Sequence, residues 1–219
     1  MRLPIRQLSF LIKPAKFSSR KSVTATVTAQ PRKESWLKYT NGLDKENRLS
    51  ETLYTVPIEI RPAVSEDAEG IAHAFIESAV FHAELDPERY ATPAIETISA
   101  RYREGLQHPS HAGGEEMTLV AAFGGEIVGF IDARLEQSSD LMHREIIYCH
   151  VAEIAVSGRH QSQGIGSHLL QAAEDWGRKM GAEFASLEFH TENKRAGLFY
   201  QKRMGYRPAS ITVIKRLCQ

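Results

Sequence analysis

The stretch Val151 to Gly166, VAEIAVSGRHQSQGIG, constrains this chain more than any other. An apolar, strand-like run passes through a polar loop into Gln161-Ser-Gln-Gly164-Ile-Gly166, and an amphipathic helix begins at once. The first turn of a helix leaves its N–H groups without intrahelical acceptors, and the aligned peptide dipoles concentrate positive charge there. Gly164 and Gly166 remove the Cβ atoms that would hold a phosphate off the backbone, so strand, loop and helix together read as an anion cradle. The helix is supported by Ile165, Leu169, Ala172, Ala173, Trp176 and Met180, which recur at three- and four-residue spacing, and Gly181 supplies a stop. Neither G-x-x-x-x-G-K-[ST] nor G-x-G-x-x-G is present, which sets aside the P-loop and the dinucleotide fingerprint.

Elements on either side of this stretch follow from pattern. Ile58 to Arg61 alternates as a short strand, and Ser65 reads as an N-cap for a first helix carried by Ile71, Phe75 and Ala79 with Val80. A second helix is expected from Pro93 to Gln107, and His108 to Glu116 reads as a loop. Met117 to Phe123 and Ile127 to Leu135 flank Gly124-Gly125 as a hairpin. A long strand is expected from Glu145 to Val156, another from Phe184 to His190, a helix from Asn193 to Arg203, and a last strand from Ile211 to Leu217. Hairpins mixed with strand-helix-strand units imply an α/β or α+β architecture with a mixed sheet flanked by helices.

Composition narrows the class. In 219 residues, 42% hydrophobic and 25% charged content fits one ordinary domain with an appendage. No apolar run is long enough to span a membrane, which gives no reason to expect a membrane partner. Two cysteines, Cys149 and Cys218, are too few for a metal cluster or a disulfide framework, and no metal is expected. Cys149, in an apolar strand, reads as a small core residue. Residues 1 to 33 hold eight of the 27 basic residues and none of the 27 acidic ones, so the rest carries 19 against 27. That acidic body argues against a nucleic-acid groove and for cationic partners. The acid-poor N-terminal segment has the composition of an organellar presequence or of a basic tail, so residues 1–57 are read as an extension and residues 58–219 as the domain. The expected location is the cytoplasm, or an organelle if residues 1–33 are a transit peptide.

Three motifs in order, Gln161-x-x-Gly164-x-Gly166, Asn193-x-x-Ala196 with Phe199-Tyr200, and Gly205-Tyr206, resemble the GNAT superfamily of acetyl-CoA-dependent N-acetyltransferases. The order of elements from Ile58 onward is similar as well. The resemblance implies the GNAT fold, with acetyl-CoA as cosubstrate, and a primary amine of a small molecule or peptide, in a monomer or homodimer. It further implies that the backbone of Ile154, Ala155 and Val156 pairs with the pantetheine arm, and that Gln161, Ser162, Gln163, Gly164, Ile165, Gly166 and Ser167 hold the pyrophosphate. By the same resemblance Asn193 contacts the cofactor and Tyr200 sits by the thioester sulfur as general acid. From the residues alone, Asn193 is also a good helix N-cap and Tyr200 an amphipathic core residue.

Transfer requires a neutral amine. A lysine-type amine with a pKa of about 10.4 costs roughly 4 kcal/mol to deprotonate at neutral pH, against about 1 kcal/mol for an α-amine near 7.7–8. A base is therefore needed, and His150 and Glu153 are the candidates: the first is an imidazole poised near neutrality, the second a carboxylate inside an apolar run. Residues three apart in a regular strand face opposite ways, so without a bulge only one of them looks at the acceptor. His143, Glu145 and Tyr148 are weaker alternatives. A GNAT-fold acyl-CoA-binding module without turnover is the competing reading.

Overall fold

A computed structural model describes the backbone of residues 23–25 and the residues 58–107, 115–138 and 144–217. Six strands lie side by side in sequence order: β1 (Val23–Ala25), β2 (Ile58–Pro62), β3 (Glu116–Phe123), β4 (Glu126–Gln137), β5 (Ile147–Val156) and β6 (Phe184–Leu187). The first five are antiparallel and the last pair is parallel. A parallel step needs a crossover, and α3 (Ile165–Lys179) provides it. α1 (Ala68–Leu85) and α2 (Ile95–Gln107) cover the other face, while α4 (Lys194–Leu198) runs into a π-helical turn at Phe199–Arg203. The mixed, helix-flanked sheet expected from pattern is what forms.

The two faces have separate cores. On one, Val128, Ile131, Cys149 and Val151 meet Ile165, Leu169, Leu170 and Ala173 of α3, the stripe read from spacing. On the other, Val120, Phe130 and Ala155 meet Ile71, Ala72, Ile98 and Tyr102 of α1 and α2. The α3 side is packed tightly: a Cβ on Gly177 would stand 2.4 Å from Cys149 Cβ. Cys149 is a core residue as expected, 2% exposed, and burial followed by the nearby Glu174 charge pushes its thiol up to about 11. The hairpin turn has positive φ at both Gly124 (60°) and Gly125 (86°), which the tight two-residue connection requires.

Several local expectations are corrected. Ser65 does not cap the first helix; it opens a 3-10 turn, and its hydroxyl donates to Glu66. Asp67 does the tying instead, accepting from Val64 N at 2.9 Å and from both terminal nitrogens of Arg61. Although burial pushes Asp67 up, those donors win and hold it below the usual carboxylate value. α2 starts at Ile95 rather than Pro93, β5 at Ile147 rather than Glu145, and β6 stops at Leu187 rather than His190. Ile211 to Leu217 is not a strand: the run has strand residues but, among the described residues, no neighbour to complete a ladder, and Ile211, Val213, Ile214 and Leu217 are exposed. Arg216 ties the run to Glu88 by an ion pair at 2.7 Å. A strand within the N-terminal extension, β1, was not anticipated. The turns expected within residues 34–56 and most of the loop from His108 lie outside the described residues.

Candidate active site

The site begins where β5 and β6 part. Their pairing runs from Tyr148 with Phe184 to Val151 with Leu187; β6 then ends and β5 continues through Val156. From Ala152 onward one edge of β5 has no strand beside it among the described residues, so Ile154, Ala155 and Val156 border an open wedge. Backbone groups along such an edge can take an extended ligand as an added strand.

Below the wedge, the chain turns through Gly158–His160 into the glycine loop. α1 holds this turn: Glu77 accepts from Ser157 Oγ at 3.1 Å and from Gly158 N at 2.6 Å. Gly164 stands at φ 87°, a left-handed conformation that a side chain would strain, and caps α3 with its carbonyl, which accepts from Ser167 N and His168 N. The amide N–H groups of residues 162–166 have no acceptor among the described residues. Around Gly166 a Cβ would meet nothing closer than Phe199 at 3.6 Å, so its absence opens space rather than relieving a clash. Ser167 Oγ is buried without a hydrogen-bond partner among the described residues at the same helix start. Successive free amides at a helix N-terminus form an anion nest.

Cations reinforce it. Arg195, on α4, donates to Gln161 Oε1 and, at 3.2 Å, to Ser162 Oγ, and the Arg203 guanidinium lies 3.9 Å from the Cβ position of Gly164. Gln161 is a brace: its amide nitrogen donates to Val156 O at 3.0 Å while its oxygen accepts from Arg195. Only a side chain with both a donor and an acceptor does this. Gln163 Nε2 reaches Arg159 O at 3.4 Å. Sequence reading missed Arg195 and Arg203, which stand more than thirty residues from the loop they serve; the basic composition of Lys194-Arg195 and Lys202-Arg203 was the available signal. Asn193 is the N-cap of α4, its side-chain oxygen accepting from Ala196 N at 3.0 Å.

The candidate bases lie on β5 across from β4. The register shifts between Asp132 and Ala133, so Glu153 faces Asp132 while Val151 faces Ala133, and Ala152 is the extra residue. Val151 packs in the α3-side core and Ala155 in the core under α1 and α2. The bulge therefore puts His150 and Glu153 on the same face, the α1/α2 side, where a regular strand would have separated them. His150 is engaged there, with Nδ1 3.1 Å from Ser186 Oγ and 4.0 Å from Glu136 Oε2. Glu153 is half-buried, and burial first, the Asp132 charge second, push its carboxyl up to about 7 against the opposing pull of Arg101.

Asp132 is fixed by two hydroxyls, Tyr102 at 2.6 Å and Thr118 at 2.8 Å. Tyr200 closes the wedge from the π-helical turn, 8% exposed, among Phe189, Phe199 and Tyr206. Its hydroxyl makes no hydrogen bond among the described residues, and burial, with the Glu153 charge second, pushes it up to about 12. Glu153 and Tyr200 thus lie within electrostatic reach of each other, with the end of the free β5 edge near both. Of the weaker alternatives, Tyr148 stacks on Phe184 at the far end of the strand, Glu145 precedes it, and His143 is outside the described residues.

The family model described as Acetyltransferase (GNAT) family matches residues 78–206, more than half of the chain. Among curated relatives, an uncharacterized N-acetyltransferase of Bacillus subtilis (strain 168), YhdJ, is 38% identical over 56 residues, 26% of this chain and 39% of that protein. The chain thus spans about two fifths of this relative's length. Of solved structures, a mutant of the BH1408 protein from Bacillus halodurans superposes with a TM-score of 0.65 at 20% identity, covering 73% of this chain and 99% of that one. The aminoglycoside N-acetyltransferase AAC(6')-Iy, solved with a CoA-based bisubstrate analogue, superposes with a TM-score of 0.54 at 18% identity over 74% of this chain and 99% of its own. Motifs, topology, wedge and family model converge, and the chain belongs to the GNAT family of acetyltransferases.

Proposed function

We propose that the protein transfers the acetyl group of acetyl-CoA to a primary amine by direct attack on the thioester, with Glu153 as general base. The supporting observation is Glu153 itself, a half-buried carboxyl at the wedge whose proton affinity is raised to about 7. A base works best when its pKa lies near the operating pH. An α-amine at about 7.7–8 gives its proton to such a carboxylate at a cost near 1 kcal/mol, a lysine-type amine at about 10.4 at a cost near 5 kcal/mol. Glu153 thus suits amines of lowered basicity, small molecule or peptide, and the acidic body favours those with further positive charge.

In this reading the free amides of residues 162–166, with Arg195 and Arg203, bind the pyrophosphate, and the edge at Ile154–Val156 aligns the pantetheine arm. Glu153 takes the ammonium proton, the neutral nitrogen attacks the carbonyl carbon, and the tetrahedral intermediate expels the thiolate, which takes the second nitrogen proton to leave as CoA thiol while the amide forms. Tyr200 serves as a hydrogen-bond donor to sulfur. With its hydroxyl at about 12, complete proton transfer to a thiolate of ordinary pKa, about 8.5, would be uphill by roughly 5 kcal/mol. A lone O–H aimed at developing charge stabilises it without that transfer. His150, tied to Ser186, shapes the acceptor side.

Release of free CoA thiol from acetyl-CoA in the presence of a panel of peptide N-termini, polyamines, aminoglycosides and amino acids tests the assignment. Turnover with one class supports it. Silence across the panel with acetyl-CoA still bound would make the protein an acyl-CoA-binding module. Among the described residues no helix is long and apolar enough to cross a membrane. A cytoplasmic location, or an organellar one directed by residues 1–33, is part of the proposal and is read out by imaging the full chain and a chain lacking those residues.

A further inference from the structure

Asp132 belongs neither to the cofactor cradle nor to the candidate bases, yet it is held firmly from two elements. Its two oxygens accept from groups on different elements, Tyr102 of α2 and Thr118 of β3, and its Cα partner across β4 and β5 is Glu153. Tyr102 is itself buried, 6% exposed, packed edge-on against Phe130, so the donor that fixes Asp132 has little freedom to turn away. The bulge at Ala152 is what brings the two carboxyls onto one face. Two acidic groups placed opposite each other in a half-buried cleft oppose each other's ionisation, and such an arrangement is costly unless it serves a purpose.

We propose that Asp132 is a positioning residue of the acetyl transfer: held by Tyr102 and Thr118 directly across from Glu153, it keeps Glu153 able to accept and hold the acceptor's proton at neutral pH. The proposal rests on the reading of Glu153 as the base. Among the described residues, the charged and titratable groups that act on Glu153 or share its face are Asp132 from β4, His150 on β5, Arg101 and Tyr102 from α2, and Tyr200 from the π-helical turn. On α1, Glu77 is turned to Ser157 and Gly158 instead. Of those near Glu153, Asp132 favours the protonated carboxyl and Arg101 opposes it. Removing the Asp132 charge leaves burial as the main support for the raised proton affinity. Glu153 then becomes a weaker base that is ionised at lower pH.

The test is the pH dependence of kcat/KM for CoA thiol release with the best acceptor, measured for the wild type, Asp132→Asn, Asp132→Glu and Glu153→Gln. Asn removes the charge and keeps one acceptor oxygen, while its NH2 takes the place of the other oxygen and can donate to the hydroxyl oxygen there. Its acid limb is expected to move down by about one pH unit, so that activity at pH 6 relative to its own plateau rises about fivefold. Asp132→Glu restores the charge and should return the limb towards the wild-type position. If Asp132→Asn does not fold, Asp132→Ser, neutral and smaller, must show the same downward displacement. An acid limb that stays in place in the neutral variants, or moves upward, overturns the proposal. The two readings fail separately. If Glu153→Gln retains the wild-type limb, Glu153 is not the base; if it abolishes the limb while the neutral Asp132 variants leave it unmoved, only the role of Asp132 falls.

Discussion

Replacing Glu153 with Gln should make the protein more stable while making it inactive, and the size of the gain follows from the site. Burial and Asp132 raise the folded-state pKa of Glu153 from its ordinary 4.5 to about 7. A group raised on folding contributes stability that is fully present below its unfolded pKa and lost as the pH climbs through its folded pKa. Each pKa unit is worth about 1.36 kcal/mol, so above pH 8 the ionised Glu153 costs the fold about 3 kcal/mol. Gln has the same shape without the charge. The Gln variant should therefore match the wild type near pH 4 and exceed it by about 2–3 kcal/mol at pH 8–9, the amide recovering slightly less than the full amount because it too is desolvated. Urea denaturation followed by circular dichroism at intervals from pH 4 to 9 measures the difference directly. A gap that does not change with pH, or a wild type more stable than the variant at pH 8, would refute the claim that Glu153 is held against its charged form. The same cost explains why the residue reads as functional: a carboxyl kept at about 3 kcal/mol against stability is the trade between activity and stability expected of a working base.

Other perturbations separate the parts of the site. Arg195→Ala removes a charge-assisted contact beside the phosphate nest and should raise the Kd for acetyl-CoA about tenfold in calorimetry, with kcat changed much less. Gly164→Ala forces a side chain into φ 87° and should cost roughly 1–2 kcal/mol in denaturation while also weakening acetyl-CoA binding, because the loop must leave its present shape. Gly177→Ala drives a methyl to 2.4 Å from Cys149 Cβ and should cost about 1–3 kcal/mol without altering acetyl-CoA affinity in the folded fraction. Tyr200→Phe, which removes only the hydroxyl, should lower kcat while leaving the acid limb of the rate profile near pH 7, since the limb belongs to another residue.

What local pattern dictates was legible. The stripe of α3, the paired glycines of the hairpin and the left-handed Gly164 follow from periodicity and backbone freedom, and each appears where spacing put it. What depends on partners distant in sequence was not. The bulge at Ala152 is a property of two strands in register, invisible in β5 alone, and it is the exception to the regular alternation that puts His150 and Glu153 on one face. Tyr102 reaches Asp132 across thirty positions, and Arg195 reaches Gln161 across thirty-four, so neither pair leaves a local trace. Ile211 to Leu217 shows the converse: β-type residues favour a strand, but the ladder needs a neighbour, and the run is exposed with none among the described residues.

The central claim, that Glu153 takes the acceptor's proton in an acetyl transfer, is tested most directly by comparing CoA thiol release by His150→Ala and Glu153→Gln at saturating acetyl-CoA and neutral pH. A general base contributes about 10²–10⁴-fold, so Glu153→Gln should lose turnover by that factor with acetyl-CoA affinity unchanged, and His150→Ala should stay within several-fold of the wild type. Turnover retained by Glu153→Gln and lost in His150→Ala would contradict the account.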